Sequence, residues 1–596
     1  MTMKQYKIFH GDVVFDASEY QCRIFDRIEN GSGNLVINAS AGSSKTTTIV
    51  NALRYVKDGK KVLFIAFNKD IVETIKSKVD RPLTYISTFH ALGRSILVEN
   101  GVIEKDSEPD EFKYKTLIKG YMSEHSDDLK HLSKKDYSVF MHNVEDLVFY
   151  SRYYLAMSVR EIQKVCDLYG VVTVGDEVSV CREILLSGKN NLTTYDYTDM
   201  IWLCNVLNLT TKIHRYDWIF VDEIQDTSIM QEELITKCFK RGCRFVGVGD
   251  NEQKINVWCG SSTDAVDYFR NLPNTVEFEL PITYRCAKKI VEVARQYSER
   301  IEACPDAPEG QVNVDVNKFT PDAGDMVLCR NTAPLVDLHL QYLKGNKKSY
   351  LRGANDIRDR YMSLINLTSS NFIDKGCITD SGLMPILYNN LFNNICAVSA
   401  KYGLSEDEAI VHPVITQMYD DINGIKALSE GLMTVDELKS KIDIIFSGDA
   451  DDAVQLSTIH KAKGLEADNV YIYCPSLLPS KWATKPWEVL AERNLCYVAY
   501  TRAKYTLNFI VEDKFTSRFT SKSMISKMKE EIEYAKRQQS VDTGVVLKSL
   551  DIKPKESPVI KLGDTPKVQP CDERRKKNGA QKFRNLLQGN DIPLVH

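Results

Sequence analysis

A short apolar run, a loop of small residues and a lysine–threonine pair follow one another within residues 34–50, NLVINASAGSSKTTTIV. The run 35–37 predicts a buried parallel strand, and Lys45 and Thr46 open a segment that is compatible with a helix. In such a loop, backbone N–H groups and a helix N-terminus face phosphate oxygens, the lysine adds a positive charge, and the threonine hydroxyl can ligate Mg²⁺. The order of elements therefore predicts a phosphate-binding P-loop, with an ordinary strand-to-helix turn as the alternative.

The loop departs from the pattern G-x-x-x-x-G-K-[ST] at both glycines. Ala39 stands at the first glycine position and Ser44 at the second. Ser44 must therefore adopt a loop conformation that glycine reaches more easily. The residues expected to surround a bound phosphate chain are Ala41, Gly42, Ser43, Ser44, Lys45, Thr46 and Thr47.

Composition sets broad limits on the class of protein. A chain of 596 residues is too long for one core and suggests roughly three to five domains. Its net charge of −4 argues neither for nor against nucleic acid, but residues 541–596 carry +4 and the rest −8, so any nucleic-acid groove in the body is a local feature. The fifteen cysteines are scattered without a C-x-x-C pair, which argues against a zinc site or a disulfide framework. The absence of a membrane-length apolar run and of a signal-peptide core predicts a protein of the cytoplasm, or of the nucleus in a eukaryote.

Two further strand patterns end in acidic residues. The segment 217–226, DWIFVDEIQD, is an apolar strand that ends in Asp222 and Glu223. Downstream of a P-loop, the first carboxylate can hold Mg²⁺ and the second can orient and deprotonate the attacking water, whereas a plain loop is the alternative. The segment 245–250 repeats the design and leads to Gln253, which is placed to sense the γ-phosphate, and to Trp258. Trp258 could stack on a base or fill a core.

Polar side chains near other strands and helices are candidates for base and strand contacts. Gln21 opens a predicted amphipathic helix at 21–28, and its amide offers one donor and one acceptor to adenine; a surface glutamine is the alternative. The predicted strands 61–66 and 83–87 lead into Asn68 and into Thr88 and His90. Because ligands bind at the carboxyl ends of parallel strands, these three could grip a phosphodiester backbone, or they could be loop and capping residues.

The ordered set of motifs resembles superfamily 1 helicases of the UvrD/Rep group. The resemblance covers roughly residues 15–510. The motif sequences FNK, HKAKGLE and YVA-TRAK are closest to those of the F-box DNA helicase branch, although this sequence shows no F-box region. The motifs are ASAGSSKT, FNKD, TFHALG, VDEIQDTS, VGDNEQKINVW, LPITYRC, MVLCRN, VQLSTIHKAKGLE and NLCYVAYTRAK.

The resemblance implies an α/β fold with two RecA-like P-loop NTPase lobes, each built on a parallel sheet and each carrying a mainly helical insertion. ATP would bind between the lobes and a nucleic-acid strand across them. The implied domains are lobe 1A (1–99 and 213–275), insertion 1B (100–212), lobe 2A (276–354 and 452–515), insertion 2B (355–451), and a helix with a basic, disordered tail (516–596).

The resemblance also implies roles for single residues. The residues expected to act in hydrolysis are Lys45, Asp222, Glu223, Gln253, Arg285 and Arg502, the two arginines reaching the γ-phosphate from the second lobe. Thr46 and Asp222 would hold Mg²⁺, Gln21 and Tyr284 would contact the adenine, and Glu466 would bind the ribose. The residues expected to contact the strand are Asn68, Thr88, His90, Trp258, Thr458 and His460.

The expected function is that of an ATP- and Mg²⁺-dependent 3′–5′ DNA helicase that moves on single-stranded DNA and opens duplex junctions in replication, repair or recombination. The basic tail would bind replication or recombination proteins, or it would be a solvated tail with no role. Two alternatives stay open: a translocase that displaces proteins with little unwinding, and a nucleic-acid-binding scaffold whose ATPase Ser44 impairs. An RNA substrate is a further alternative, because stacking and phosphate contacts do not exclude ribose.

Overall fold

The computed structural model describes residues 4–11, 13–67, 69–255, 265–317, 319–372, 382–402, 404–410, 412–446, 451–480, 483, 485–511, 526–533 and 537. All of them belong to the first of two compact units, Met1–Ser540. The candidate strand contacts Asn68 and Trp258 lie outside the described residues, as does the second unit, Val541–His596. In the predicted region 516–596, the described stretch 526–533 is helical.

A parallel sheet forms the centre of the first lobe. Within the described residues it has six strands in the order β5-β4-β6-β7-β3-β8, and an antiparallel hairpin precedes it in the chain. The hairpin strands are β1 (Lys7–His10) and β2 (Val13–Asp16); the sheet strands are β3 (Leu35–Ala39), β4 (Val62–Ile65), β5 (Thr84–Ser87), β6 (Tyr216–Val221), β7 (Phe239–Gly249) and β8 (Val276–Leu280).

Helices cover both faces of this sheet. Alternation along β4 shows the two faces, because Leu63 and Ile65 enter one buried cluster while Val62 and Phe64 enter the other. The helices of the first lobe and its insertion are α1 (Glu19–Asn30), α2 (Lys45–Ala52), α3 (Lys69–Lys78), α4 (Phe89–Glu99), α5 (Lys113–Glu124), α6 (Lys134–Tyr153), α7 (Val159–Tyr169), α8 (Glu177–Asn190), α9 (Asp199–Val206), α10 (Ile229–Lys237) and α11 (Ala265–Arg270).

The second lobe repeats this plan. Its described strands include six parallel ones in the order β11-β16-β15-β12-β14-β13, and β9 pairs with β10 beside them. These strands are β9 (Ile282–Thr283), β10 (Glu302–Ala303), β11 (Gln311–Val316), β12 (Met326–Cys329), β13 (Ser349–Leu351), β14 (Val454–Thr458), β15 (Ala467–Ile472) and β16 (Ala503–Ile510). The expectation of an α/β fold with two parallel-sheet lobes is confirmed.

Helices occur both in the second lobe itself and in its insertion. They are α12 (Lys288–Ala294), α13 (Ala333–Lys344), α14 (Ala354–Phe372), α15 (Leu383–Tyr402), α16 (Glu406–Ile410), α17 (Pro413–Ser429), α18 (Val435–Ile445) and α19 (Pro486–Tyr500). No helix formed by the described residues combines the length and apolar character needed to cross a membrane.

Each insertion shares a core with one face of its sheet. In the first lobe, one cluster joins Leu63 and Ile219 of the sheet to Phe140 and Ile184 of the insertion. In the second lobe, Val327 and Leu456 of the sheet lie in one cluster with insertion residues and with Met528 and Ile532 of the last described helix. The insertions therefore stabilise the sheets on which they pack.

Strand pairing corrects one expected boundary. The sequence division at 276 assigns residues 276–280 to the second lobe, but β8 pairs with β3 along its whole length, from Leu35 opposite Val276 to Ala39 opposite Leu280. The segment VEFEL has no local pattern that distinguishes one parallel sheet from the other. Its place is decided by a partner more than 230 residues earlier in the chain.

Helix α9 is buried over most of its length. Residues 200–204 are all buried, so the helix is enclosed by the insertion and the first sheet. At its first residue, Asp199 accepts hydrogen bonds from Lys113 Nζ at 2.6 Å and from Tyr114 Oη at 2.9 Å. Arg152 binds Asp196 at 2.7 Å and completes a buried network of two cations and two carboxylates. This network joins α5 and α6 to α9.

Asp199→Asn should lower the free energy of opening of the insertion by about 3 kcal/mol, because it leaves the buried Lys113 ammonium without its partner charge. Amide hydrogen exchange in α5 and α9 measures this change. The matched control is Asp127→Asn, which breaks the exposed pair with Lys130, whose side chains are 84% and 75% exposed, and should change stability by at most about 0.5 kcal/mol. Equal effects of the two substitutions would contradict this account.

Candidate nucleotide site between the two lobes

The P-loop connects β3 to α2 at the centre of the first sheet. Gly42 and Ser44 both have positive φ, +70° and +61°, so Ser44 takes the left-handed conformation that the sequence requires of it. The Ser44 side chain makes no capping hydrogen bond to α2, which leaves the first-turn N–H groups of the helix available to an anion. The buried Ser43 hydroxyl also lacks a hydrogen-bond partner among the described residues. These donors suit a bound phosphate group.

Gly42 is required by contacts as well as by its φ angle. A Cβ atom at this position would lie 2.5 Å from Thr283 Oγ1 and 2.6 Å from Arg285 Cβ. The N–H of Tyr284 donates to the Gly42 carbonyl at 2.9 Å. The segment that follows β8 therefore lies directly on the P-loop, and it brings Arg285 to the nucleotide side.

The carboxylates at the end of β6 face the first residues of α2. Thr46 Oγ1 donates to Asp222 Oδ2 at 2.6 Å, and Lys45 Nζ lies 3.7 Å from Glu223 Oε1. Glu223 has a φ of +55°, which is uncommon for a glutamate and turns its side chain toward Lys45 instead of continuing the strand. The sequence pattern of a lysine–threonine pair and a distant Asp-Glu pair is thus one cluster in space.

The two carboxylates have opposite pKa shifts. Burial, reinforced by the charge of Glu223, raises the pKa of Asp222 to about 7. Burial also acts to raise the pKa of Glu223, but the charge of Lys45, helped by Lys463, outweighs it and holds that pKa below its usual value. Glu223 is therefore an ionised carboxylate at neutral pH and can accept a proton.

The chemistry of Thr46 and Asp222 fits Mg²⁺. Both offer oxygen atoms, and Mg²⁺ usually takes one or two protein oxygens together with phosphate oxygens and water. In the part of the chain that the structure describes, no group of three or more His, Cys, Asp or Glu side chains could hold a metal on its own. The donor set thus suits a cation that arrives with the phosphates.

A buried glutamine links the ends of β6 and β7. Gln225 Nε2 donates to Glu223 Oε2 at 2.6 Å, and its Oε1 accepts from the N–H of Asp250 at 3.0 Å. Asp250 in turn accepts from Gln253 Nε2 at 2.6 Å, and burial raises the pKa of Asp250 to about 7. The position of Gln253 is therefore connected to that of Glu223 by consecutive hydrogen bonds.

Residues of both lobes line a single cavity of about 1360 Å³. The first lobe contributes the P-loop and the carboxylates, and Arg285, His460, Lys463 and Arg502 line the same space. The predicted site residues among the lining are Gly42, Ser43, Ser44, Lys45, Thr46, Thr47, Asp222, Glu223, Gln253, Arg285, His460 and Arg502.

Arg502 is fixed within the second lobe. Its guanidinium donates to the carbonyls of Val498 at 2.8 Å and Leu465 at 3.1 Å. Burial, together with the charge of Arg285, lowers the pKa of Arg502 to about 9. Two adjacent cations at the cavity wall, of which Arg502 is buried, favour an anionic ligand.

Four predicted nucleotide contacts do not line this cavity: Ala41 of the P-loop, and the three residues expected at the base and ribose. Gln21 is buried; its Oε1 accepts from the Ser18 N–H in a capping box and its Nε2 donates to Thr48 Oγ1 at 2.9 Å. Tyr284 is 49% exposed, with its ring accessible at the surface. Glu466 accepts from Arg285 Nε at 2.7 Å and pairs with Lys504 at 3.3 Å. The roles of these three in base and ribose binding stay predictions.

The described strand-contact candidates fall into two groups. Thr88 follows β5 and caps α4 through the Ala91 N–H at 3.2 Å, and His90 is exposed in the first turn of that helix. Thr458 is the last residue of β14, so it lies at the carboxyl edge of the second sheet as Thr88 does of the first. His460 instead lines the nucleotide cavity, and burial with the charges of Arg330 and Lys463 lowers its pKa to about 3. Their contacts with a strand stay predictions.

Family models match both halves of this arrangement. The UvrD/REP helicase N-terminal domain matches residues 23–273, which contain the P-loop and the carboxylates. The UvrD-like helicase C-terminal domain matches residues 416–514, which contain Lys463 and Arg502. The chain belongs to the UvrD/Rep family of superfamily 1 helicases.

Individual relatives of this UvrD/Rep family member are distant. A probable DNA helicase II homolog of Mycoplasma genitalium is 27% identical over 49% of this chain and 43% of its own length. The ATP-dependent DNA helicase PcrA of Bacillus subtilis is 24% identical over 46% of this chain and 38% of its own length. These two matches span less than half of each relative. The PcrA protein of Staphylococcus aureus is 23% identical over 81% of this chain and 82% of its own length.

Sequence reasoning missed several residues that connect the parts of the site. Gln225 and Asp226 follow the predicted carboxylate pair, and Lys463 reaches across from the second lobe to Asp226 and to the Gln253 carbonyl. Asn494 and Tyr497 also cross between the lobes. All five lie within motifs that the sequence made visible, but a motif alone does not say which of its side chains bind another segment.

Ser44→Gly should raise the free energy of unfolding of this UvrD/Rep family member by about 0.5–1 kcal/mol. Glycine adopts the left-handed conformation without the strain that an L-residue has there, and this gain exceeds the cost of the larger conformational entropy of glycine in the unfolded chain. Urea unfolding followed by tryptophan fluorescence measures the change. Ser44→Ala is the matched control, since it removes the hydroxyl but keeps Cβ and should bring no gain. Equal stabilities of the two variants would contradict strain at this position.

Proposed function

We propose that this protein is an ATP-dependent DNA helicase and translocase, which hydrolyses ATP between its two lobes and moves along single-stranded DNA. The observation that carries the proposal is the shared cavity: Lys45, Asp222 and Glu223 of the first lobe line it together with Arg285 and Arg502. A hydrolytic site that is assembled from two lobes couples chemistry to their relative movement.

The described residues suggest how the site would act on ATP. The P-loop N–H groups and Lys45 would bind the phosphates, and Mg²⁺, held by Thr46 and Asp222, would supply charge neutralisation. Glu223, ionised and beside Lys45, would orient the attacking water and accept its proton. The charges of Arg285 and Arg502 would stabilise the transferring phosphoryl group.

Hydrolysis would change how the lobes are held together. Phosphate oxygens attract Lys45 from one side and Arg285 and Arg502 from the other, so bound ATP would favour a closed arrangement. Loss of the γ-phosphate would weaken that attraction and let the lobes separate. Alternate closing and opening would advance the lobes along a strand that both of them grip.

DNA is the substrate that we propose for this movement. The relatives from Bacillus subtilis and Staphylococcus aureus are named ATP-dependent DNA helicases, which supports this substrate. Thr88 and Thr458 also support it, because they lie at the carboxyl edges of the two sheets. We further propose 3′–5′ movement, opening of duplexes at single-strand junctions, and a role in replication, repair or recombination in the cytoplasm or nucleus. The basic tail within 516–596 would contact proteins of those processes.

Lys45→Ala should lower DNA-stimulated ATP hydrolysis by about 100-fold or more, because it removes the charge next to the transferring phosphate. The measurement is steady-state ATP hydrolysis with Mg²⁺, with and without a single-stranded oligodeoxynucleotide. The matched control is Lys461→Ala, since Lys461 pairs with Asp356 on the second lobe and does not line the cavity. It should leave the stimulated rate within about twofold of the native rate.

A second assay on the same proteins separates the possible activities. Strand separation on a 3′-tailed duplex, absent with Lys45→Ala, is the expected result. Stimulated hydrolysis with little strand separation would favour a translocase that displaces proteins. If the native chain binds the strand but does not hydrolyse ATP, the result would contradict the helicase proposal and favour a binding scaffold. Equal stimulation by an RNA oligonucleotide would overturn the preference for DNA.

A further inference from the structure

Helix α19 of the second lobe reaches both nucleotide loops of the first lobe. Tyr497 Oη accepts a hydrogen bond from the N–H of Ala41, in the P-loop, at 3.0 Å. Asn494 lies one turn earlier on the same face of α19. Its side-chain amide donates to the carbonyls of Asn251 at 3.0 Å and Lys254 at 2.9 Å. Those two carbonyls flank Gln253.

Apolar contacts reinforce the same two connections. Ala41 and Ile255 are 0% and 2% exposed, and both belong to the buried cluster of the second lobe that includes Ile290 and Tyr497. The P-loop and the Gln253 turn leave the first sheet at the ends of β3 and β7, yet each inserts one apolar side chain into the other lobe's core. Ala41 is itself a hydrogen-bond partner of α19, and Ile255 follows Lys254, whose carbonyl is another.

The two side chains of α19 that make these contacts are buried, as are the hydrogen bonds to Ala41 and to the Lys254 carbonyl. Tyr497 and Asn494 are 0% and 4% exposed. Burial raises the pKa of Tyr497 well above its usual value, so the hydroxyl stays neutral. If the lobes rotate, the two loops must move with α19 or these hydrogen bonds must break and be replaced by bonds to water.

We propose that Asn494 and Tyr497 form a latch on α19 that sets the position of the P-loop and of Gln253 relative to Arg285 and Arg502. This rests on the proposed function, because it concerns the same hydrolytic site. The latch favours the closed arrangement when no strand is bound. A strand that binds both lobes also favours the closed arrangement. Strand binding therefore compensates in part for loss of the latch.

This relationship predicts a specific kinetic pattern. Tyr497→Phe removes only the hydroxyl and should lower kcat without a strand by about fivefold, the effect of one net hydrogen bond on a two-state equilibrium. At saturating strand, kcat should stay within about twofold of the native value. The strand concentration for half-maximal stimulation should rise by up to about fivefold, because coupling between two sites is reciprocal. Asn494→Leu should show the same pattern.

Two residues of the same helix provide matched controls. Tyr500→Phe also removes a tyrosine hydroxyl, but its ring packs against Tyr297 and Phe509 within the second lobe. Arg493→Ala changes the residue next to Asn494. It removes the Arg493 guanidinium, which donates a hydrogen bond to the Gln296 carbonyl. Both controls should keep native values of kcat and of half-maximal strand concentration. Thermal unfolding of all variants identifies any that fail to fold.

Hydrogen exchange tests the latch independently of activity. Exchange of the Ala41 amide should rise about fivefold in Tyr497→Phe and stay unchanged in Tyr500→Phe, because only the first loses the acceptor of that N–H. If the native chain shows no hydrolysis, the proposed function fails and this exchange measurement decides on the latch. An unchanged Ala41 amide, or a folded Tyr497→Phe variant with native kcat and native strand requirement, would overturn the proposal. An equal fall in kcat with and without a strand would also overturn it.

Discussion

The hydrogen bond between the Thr46 hydroxyl and the Asp222 carboxylate joins residues that are 176 positions apart in the chain. It can form only if β3 and β6 run in the same direction in one sheet, so that their carboxyl ends reach the same edge. The intervening helices must then pack on the face of the sheet instead of within it. The first lobe and its insertion are thus arranged around one cluster of Lys45, Thr46, Asp222 and Glu223.

That cluster is incomplete without the second lobe. The first lobe provides a lysine, a hydroxyl and carboxylates, whereas the cavity wall opposite them carries Arg285 and Arg502. Phosphoryl transfer is promoted mainly by positioning and by charge, so the proposed hydrolytic site would work only when its two halves meet. Contacts from α19 to both nucleotide loops then give lobe position a direct influence on the site. Membership of the UvrD/Rep family is consistent with this division.

Local patterns allowed the two parallel-sheet lobes to be predicted from sequence, together with most of the side chains that the structure brings into one cavity. Apolar runs that end in polar residues mark strands and their ligand-binding ends, as at Lys45, Asp222 and Glu223. Other features depend on segments that are remote in the chain. The place of β8 is decided by its pairing with β3. Asp199 and Tyr497 find their partners, a buried lysine and a backbone N–H, in segments that are far away in the chain.

The most direct test of the account is an experimental structure of the protein with Mg²⁺, a non-hydrolysable ATP analogue and a single-stranded oligodeoxynucleotide. The account predicts that the γ-phosphate lies within hydrogen-bond distance of both Lys45 and Arg285, with Mg²⁺ next to Thr46 and Asp222. It also predicts that one strand contacts both lobes. An analogue that binds Lys45 while Arg285 and Arg502 both stay away from the phosphates would contradict a hydrolytic site shared between the lobes.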